Sequence, residues 1–196
     1  MNDGRFMGQA LEVARRAAGR TSPNPMVGVV VVRDDVVIAE GWTQPPGQDH
    51  AEPHALKKLG GRADGATMYV TLEPCCHFGR TPPCTDAVIR SGVKRVVIGI
   101  VDPFPLVAGR GIERLREAGI EVEVGVRGDE CRRLNRGFLR AVADGLPEVT
   151  LKAAISLDGR IASEAGESRW ITGPAARAAG HRLRYTHDAV LVGIGT

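Results

Sequence analysis

His50 and Glu52 flank a single alanine, and Pro74-Cys75 is followed nine positions later by Cys84. Together they offer one imidazole, two thiols and a nearby carboxylate. One His and two Cys match a zinc site with three protein ligands and an open fourth position, the arrangement of catalytic rather than structural zinc. The competing arrangement is a closed site with Cys76 as fourth ligand. Adjacent Cys75 and Cys76 would strain to bind one ion tetrahedrally, and Cys75, next to Pro74, is the favoured ligand. Any fold for this chain has to bring the His50 stretch and the cysteine stretch together.

Bulk properties exclude several classes. The chain has 196 residues, 43% hydrophobic and 25% charged, which predicts a globular protein with room for one full domain and a remainder. No apolar run reaches the length of a membrane span. The start, MNDGRFMGQA, has neither a basic n-region nor an apolar core, so no export leader is expected and the cytoplasm is the expected compartment. Clustered Cys75, Cys76 and Cys84 then read as metal binding rather than disulfides. Cys131 reads as an incidental thiol. Net charge is +3 and aromatic content 4%, without a long basic run, so nucleic acid is not expected as a partner.

Hydrophobic periodicity predicts a first helix over Gly4–Ala18, then a hairpin of Val27–Arg33 and Val36–Glu40 across Asp34-Asp35. A helix follows over His50–Leu59, with Asp49 as N-cap and Pro53 tolerated in its first turn. Strands are predicted at Met68–Leu72, Arg95–Val101 and Glu121–Val124. Helices are predicted at Cys84–Ser91, Gly111–Ala118 and, unbroken, Asp129–Ala143. This alternation predicts a three-layer α/β domain. Asp144-Gly145-Leu146-Pro147 marks a boundary. Beyond it, Glu148–Ile155 and Ala189–Ile194 read as strands and Gly173–Tyr185 as a helix. About fifty residues are too few for a second α/β core, so a truncated second domain is expected.

The chemistry follows from the residue types. His50 and Cys84 fall at predicted helix starts, where partial positive charge favours thiolates. Zinc on such a set generates hydroxide from water near neutral pH. Glu52, two residues from His50, is expected to carry protons rather than bind metal. H-x-E followed by P-C and a further Cys is the signature of zinc deaminases, which remove an amino group from a nucleobase-like ring.

Three further stretches accompany the motif: Thr21-Ser22-Pro23-Asn24-Pro25-Met26-Val27-Gly28, Thr71-Leu72-Glu73-Pro74-Cys75, and Gly79-Arg80-Thr81-Pro82-Pro83-Cys84. Later come Ser156-Leu157-Asp158-Gly159-Arg160-Ile161-Ala162 and Gly166-Glu167-Ser168-Arg169-Trp170-Ile171-Thr172. The whole set resembles the bacterial bifunctional riboflavin-biosynthesis deaminase/reductase family. The eight-residue gap between Cys75 and Cys84 separates it from base and tRNA deaminases. The resemblance implies a cytidine-deaminase-like αβα sandwich with a mixed central sheet over residues 1–146. It implies an incomplete dihydrofolate-reductase-like domain over 147–196.

By the same resemblance, Zn2+ sits on His50, Cys75 and Cys84, and Glu52 is catalytic. The substrate is 2,5-diamino-6-ribosylamino-4(3H)-pyrimidinone 5′-phosphate, deaminated to 5-amino-6-(5-phosphoribosylamino)uracil. Asn24, His77, Arg80 and Asp102 would contact it. The complete reductase would use NADPH, with Lys152, Ser168, Trp170 and Thr172 in its pocket; the fragment is expected to be inactive. A homo-oligomer is expected. Phe104, Thr43 and Pro53 depart from the family's usual Asn, His and aliphatic residue. Alternatives are another nucleobase zinc deaminase and a silent zinc module serving assembly, the latter disfavoured by Glu52.

Overall fold

A computed structural model describes residues 2–194. The chain divides into two compact units, Met1–Glu148 and Val149–Thr196. In the first unit, β1 (Gly28–Arg33), β2 (Val36–Trp42), β3 (Thr67–Leu72), β4 (Arg95–Ile100) and β5 (Glu121–Val124) form one mixed sheet in the order β2-β1-β3-β4-β5. β1 runs antiparallel to both β2 and β3, while β3-β4 and β4-β5 are parallel. Asp34 and Asp35, both at positive φ, make the two-residue turn of the β1-β2 hairpin.

The sheet is covered on both sides, which explains the near-continuous apolar runs of β1, β3 and β4. Alternate side chains point to opposite faces. Val29, Val31, Met68, Val70, Val96 and Ile98 pack with α2 (Ala51–Lys57), α3 (Cys84–Arg90) and α4 (Arg110–Glu117). Val30, Val32, Tyr69, Leu72, Val97 and Ile100 pack with α1 (Asp3–Ala14), α5 (Gly128–Leu134) and α6 (Arg136–Asp144). At the edge away from the strand exits, buried Arg95 meets Asp3, Glu121 and Glu123, and Tyr69 donates to Asp3.

Two glycines let helices lie directly on the sheet. A Cβ on Gly28 would sit 2.0 Å from the Ala10 carbonyl of α1, and one on Gly41 would sit 2.2 Å from the Ala51 carbonyl of α2.

Several sequence expectations need correction. The first helix ends at Ala14 and tightens into a 3-10 turn over Arg15–Ala17. Asp49 does not cap α2: its carboxylate holds Lys57 at 2.6 Å, and His50 takes the N-cap position. The predicted helix Asp129–Ala143 is two helices, broken at Asn135, whose side chain turns inward. In the second unit, α7 (Pro174–Thr186) forms, with Pro174 in its first turn. Glu148–Ile155 and Ala189–Ile194 are not strands; no ladder partner for either exists among the described residues, and an extended run without one is not a sheet. Ser156–Arg160 instead closes a tight turn through the Ser156 hydroxyl, which bonds Asp158 and the Arg160 N–H.

Gly41→Ala is expected to cost about 1–3 kcal/mol through overpacking against α2. Gly4→Ala, with open space around its Cβ, is expected to be neutral or slightly stabilising. Denaturant melts of the two variants check this.

Candidate metal centre and active site

The three donors of the split motif converge at the ends of α2, β3 and α3. His50 precedes α2 in extended backbone, Cys75 lies three residues past β3, and Cys84 opens α3. Their ligand atoms all lie within 4.8 Å of one another. His50 Nδ1 is 3.6 Å from Cys75 Sγ and 3.3 Å from Cys84 Sγ. The Cys84 N–H donates to Cys75 Sγ at 3.4 Å, and the Thr85 N–H to the Cys75 carbonyl at 3.1 Å. Cys76 is outside the set; its thiol points to the Leu106 carbonyl at 3.6 Å.

The electrostatics fit a cation. The Cys75 thiol is held far below its usual range, first by the Cys84 thiol donating to it, then by His50 and the Cys84 N–H. Cys84 is pushed the other way, by the same bond and by burial. The bond between the two thiols thus favours charge on Cys75 over Cys84. His50 is raised chiefly by its bond to Cys75. One imidazole and two thiols this close are the soft donor types that suit Zn2+.

Glu52, in the first turn of α2, is 3% exposed. Burial first, then the Cys75 charge, pushes its carboxyl up to about 7.

Asn24 is half-buried in a turn closed by its N–H to the Thr21 carbonyl at 2.7 Å. His77 is half-buried with Nδ1 buried and unpartnered, its ring tilted against Phe104 at 5.7 Å. Arg80 is exposed. Asp102 is buried and accepts the Phe104 N–H at 2.8 Å. Phe104 thus fills the rim with a ring on His77. Pro53 sits in the first turn of α2, where its missing N–H would have had no helical acceptor. In the second unit, Lys152, Ser168 and Trp170 are exposed and Thr172 half-buried; no hydrogen bond joins the four. Trp170 lies under Arg177, whose guanidinium donates to the Thr172 carbonyl.

Four residues to which the sequence reading gave no structural role hold nearby backbone. Asn135 accepts the Met26 N–H at 2.8 Å and donates to the Met26 carbonyl at 2.9 Å. Thr43 Oγ1 accepts the Val27 N–H, and Thr71 Oγ1 the Gly28 N–H. The backbone beside Asn24 is thus held by three side chains in a row. Glu73 accepts four backbone N–H groups, from Asp102, Gly109, Gly111 and Ile112.

Residues 1–100 match the family model for the cytidine and deoxycytidylate deaminase zinc-binding region. The chain belongs to this family. Residues 147–196 match the RibD C-terminal domain. The chain is 51% identical to riboflavin biosynthesis protein RibD of Aquifex aeolicus over 99% of its length and 54% of that protein. It is 50% identical to RibD of Escherichia coli over 100% of its length and 53% of that protein. A crystal structure from Thermotoga maritima, titled a diaminohydroxyphosphoribosylaminopyrimidine deaminase/5-amino-6-(5-phosphoribosylamino)uracil reductase, superposes with a TM-score of 0.92 at 47% identity, covering 98% of this chain and 56% of that one. The chain therefore spans about half the length of the relatives it matches. The resemblance to riboflavin-biosynthesis deaminase/reductases is borne out, and the αβα domain is cytidine-deaminase-like. No described helix is long and apolar enough to cross a membrane.

Asp102 is expected to give the metal-depleted protein a pH signature. Burial first, with repulsion from Glu73 and Cys75, pushes its carboxyl from the usual 3.8 to about 6. The folded state then binds more protons than the unfolded state between these values. Stability falls as pH rises through this window and stays lower above it, by up to about 3 kcal/mol. Asp102→Asn, which keeps the acceptor for Phe104, is expected to remove that slope and raise neutral-pH stability. Chemical denaturation from pH 4 to 8 checks it.

Proposed function

We propose that this chain catalyses hydrolytic deamination of 2,5-diamino-6-ribosylamino-4(3H)-pyrimidinone 5′-phosphate, giving 5-amino-6-(5-phosphoribosylamino)uracil and ammonia. The observation that carries the reading is the meeting of His50, Cys75 and Cys84 within 4.8 Å, with buried Glu52 on the turn that follows His50. His50, Cys75 and Cys84 are assigned to Zn2+, which when bound supplies Lewis-acid activation of water near neutral pH. The Cys76 thiol is engaged with Leu106, which supports three protein ligands and an open position over a closed structural site.

Glu52 is the proton carrier. Its carboxylate accepts a first proton from the attacking water and passes it to the ring nitrogen, then accepts the second from the hydroxyl so formed and passes it to the departing amine. The C–NH2 bond breaks, a C=O forms, and the amine leaves as ammonia. Burial holds the Glu52 side chain in one place on the turn that follows His50, away from bulk water. Asn24 is assigned to the pyrimidine, Asp102 to the pocket wall, and His77 and Arg80 to the ribose phosphate, for which a guanidinium suits bidentate bonding.

We assign residues 1–146 to the deaminase and 147–196 to the start of a reductase domain, dihydrofolate-reductase-like and NADPH-dependent when complete. A homo-oligomer in the cytoplasm is part of the same reading, as expected of the family.

Ammonia release from the diaminopyrimidine ribosyl phosphate tests the proposal. Glu52→Gln is expected to keep zinc by metal analysis while turnover falls about 10²- to 10⁴-fold. Full activity in that variant, or activity unaffected by a zinc chelator, overturns it. NADPH oxidation with the deaminated product is expected to be absent for this 196-residue chain, because Lys152, Ser168 and Trp170 are exposed; clear turnover would refute that.

A further inference from the structure

We infer that Glu73 is a positioning residue, which locks the Cys75 ligand loop and the Asp102 wall of the pocket into one frame; this rests on the zinc-deaminase reading above. Glu73 is 3% exposed, and among the described residues it forms no ion pair. Its carboxylate is satisfied by backbone alone. Oε1 accepts Gly111 N–H at 2.9 Å and Ile112 N–H at 3.2 Å; Oε2 accepts Gly109 N–H at 3.0 Å and Asp102 N–H at 3.1 Å. Its own N–H donates to the Ile100 carbonyl at 3.0 Å.

These bonds tie three segments together: the exit of β3, the exit of β4, and the first turn of α4. The same turn presses on the ligand loop directly, since a Cβ on Gly111 would lie 2.2 Å from the Pro74 carbonyl. Beyond Pro74, Cys75 is held from the other side by the N–H groups of Cys84 and Thr85. The chain from Glu73 to Cys75 therefore has little freedom, and the freedom removed is that of a metal ligand. Asp102 is fixed by the same carboxylate through its N–H.

The geometry also says which change breaks the frame. Each carboxylate oxygen serves two N–H donors. In Glu73→Gln one oxygen becomes an NH2 group facing two donors, so half of the bonds turn into repulsions. Asp102 or the first turn of α4 must then move away, and Cys75 loses its backing.

The test measures zinc release from the intact chain to a chromogenic chelator, and the visible spectrum of the cobalt-substituted protein. Glu73→Gln is expected to release zinc about 10- to 100-fold faster, as for lost support of a metal ligand, and to shift the cobalt bands. KM is expected to rise along with a fall in kcat. Leu11→Ala, a core deletion on the opposite face of the sheet, is the stability control and is expected to leave release and spectrum unchanged. If Glu73→Gln only melts earlier, with wild-type release and spectrum, Glu73 is merely a helix cap and the inference falls.

A measurement on the wild type covers the case in which Glu73→Gln does not fold. Removing zinc is expected to speed hydrogen exchange at the Asp102, Gly109, Gly111 and Ile112 amides while α1 stays protected. Unchanged exchange at those four overturns the inference. Wild-type protein that binds no zinc would sink the deaminase reading and this inference together; zinc bound normally with no effect of Glu73 would sink this inference alone.

Discussion

The parallel pairing of β3 with β4 is the constraint on which the site depends. Met68 lies opposite Val96 and Leu72 opposite Ile100, so both strands end at the same edge of the sheet. The exit of β3 delivers Glu73 and Cys75, and the exit of β4 delivers Asp102. An antiparallel pair would place those exits a strand length apart, about 20 Å for six residues. The helices add the rest. α2 and α3 pack on the same face, and both begin at this edge, so His50 and Cys84 arrive beside Cys75.

The groups gathered there are poor residents of a protein interior. A buried carboxyl and two thiols crowd one wall, and charge on Cys75 raises the cost of charging both Glu52 and Cys84. Such crowding serves no packing purpose. Under the proposed function it becomes intelligible as a site that gives up stability for a cation and a proton carrier held in a dry, fixed place. The bracing residues compensate through backbone bonds: Asn135, Thr43 and Thr71 along one loop, Glu73 along another.

Much of this was readable beforehand, because periodicity and motif spacing are properties of a line of residues. The alternating runs marked the sheet and its covering helices, and His50, Glu52, Cys75 and Cys84 stood out by their chemistry. Glu73 and Asn135 did not. A polar side chain that bonds to distant backbone looks, in sequence, like any solvated one; its partners at Gly109 or Met26 carry no distinguishing side chain. The break at Asn135 was hidden for the same reason, with no Pro or Gly to mark it. Glu148–Ile155 shows the opposite failure. Its β-branched residues express a preference for extended backbone, but a strand exists only with a neighbour. Phe104 was recognised as unusual, while its contact with His77 emerged only from the fold.

The bare-backbone contacts at Gly28 and Gly41 have a consequence for how this domain can diverge. Where a helix rests on interlocking side chains, each core substitution shifts it a little. Here α1 and α2 stand on the strands themselves at one point each, with no side chain between. The height of α2 above the sheet is set by atoms that every sequence shares. Leu, Val and Ile elsewhere in the core can then be exchanged over generations while His50 and Glu52 stay at the same height. Those two glycines act as datum points, insulating the chemistry from drift in the packing around it.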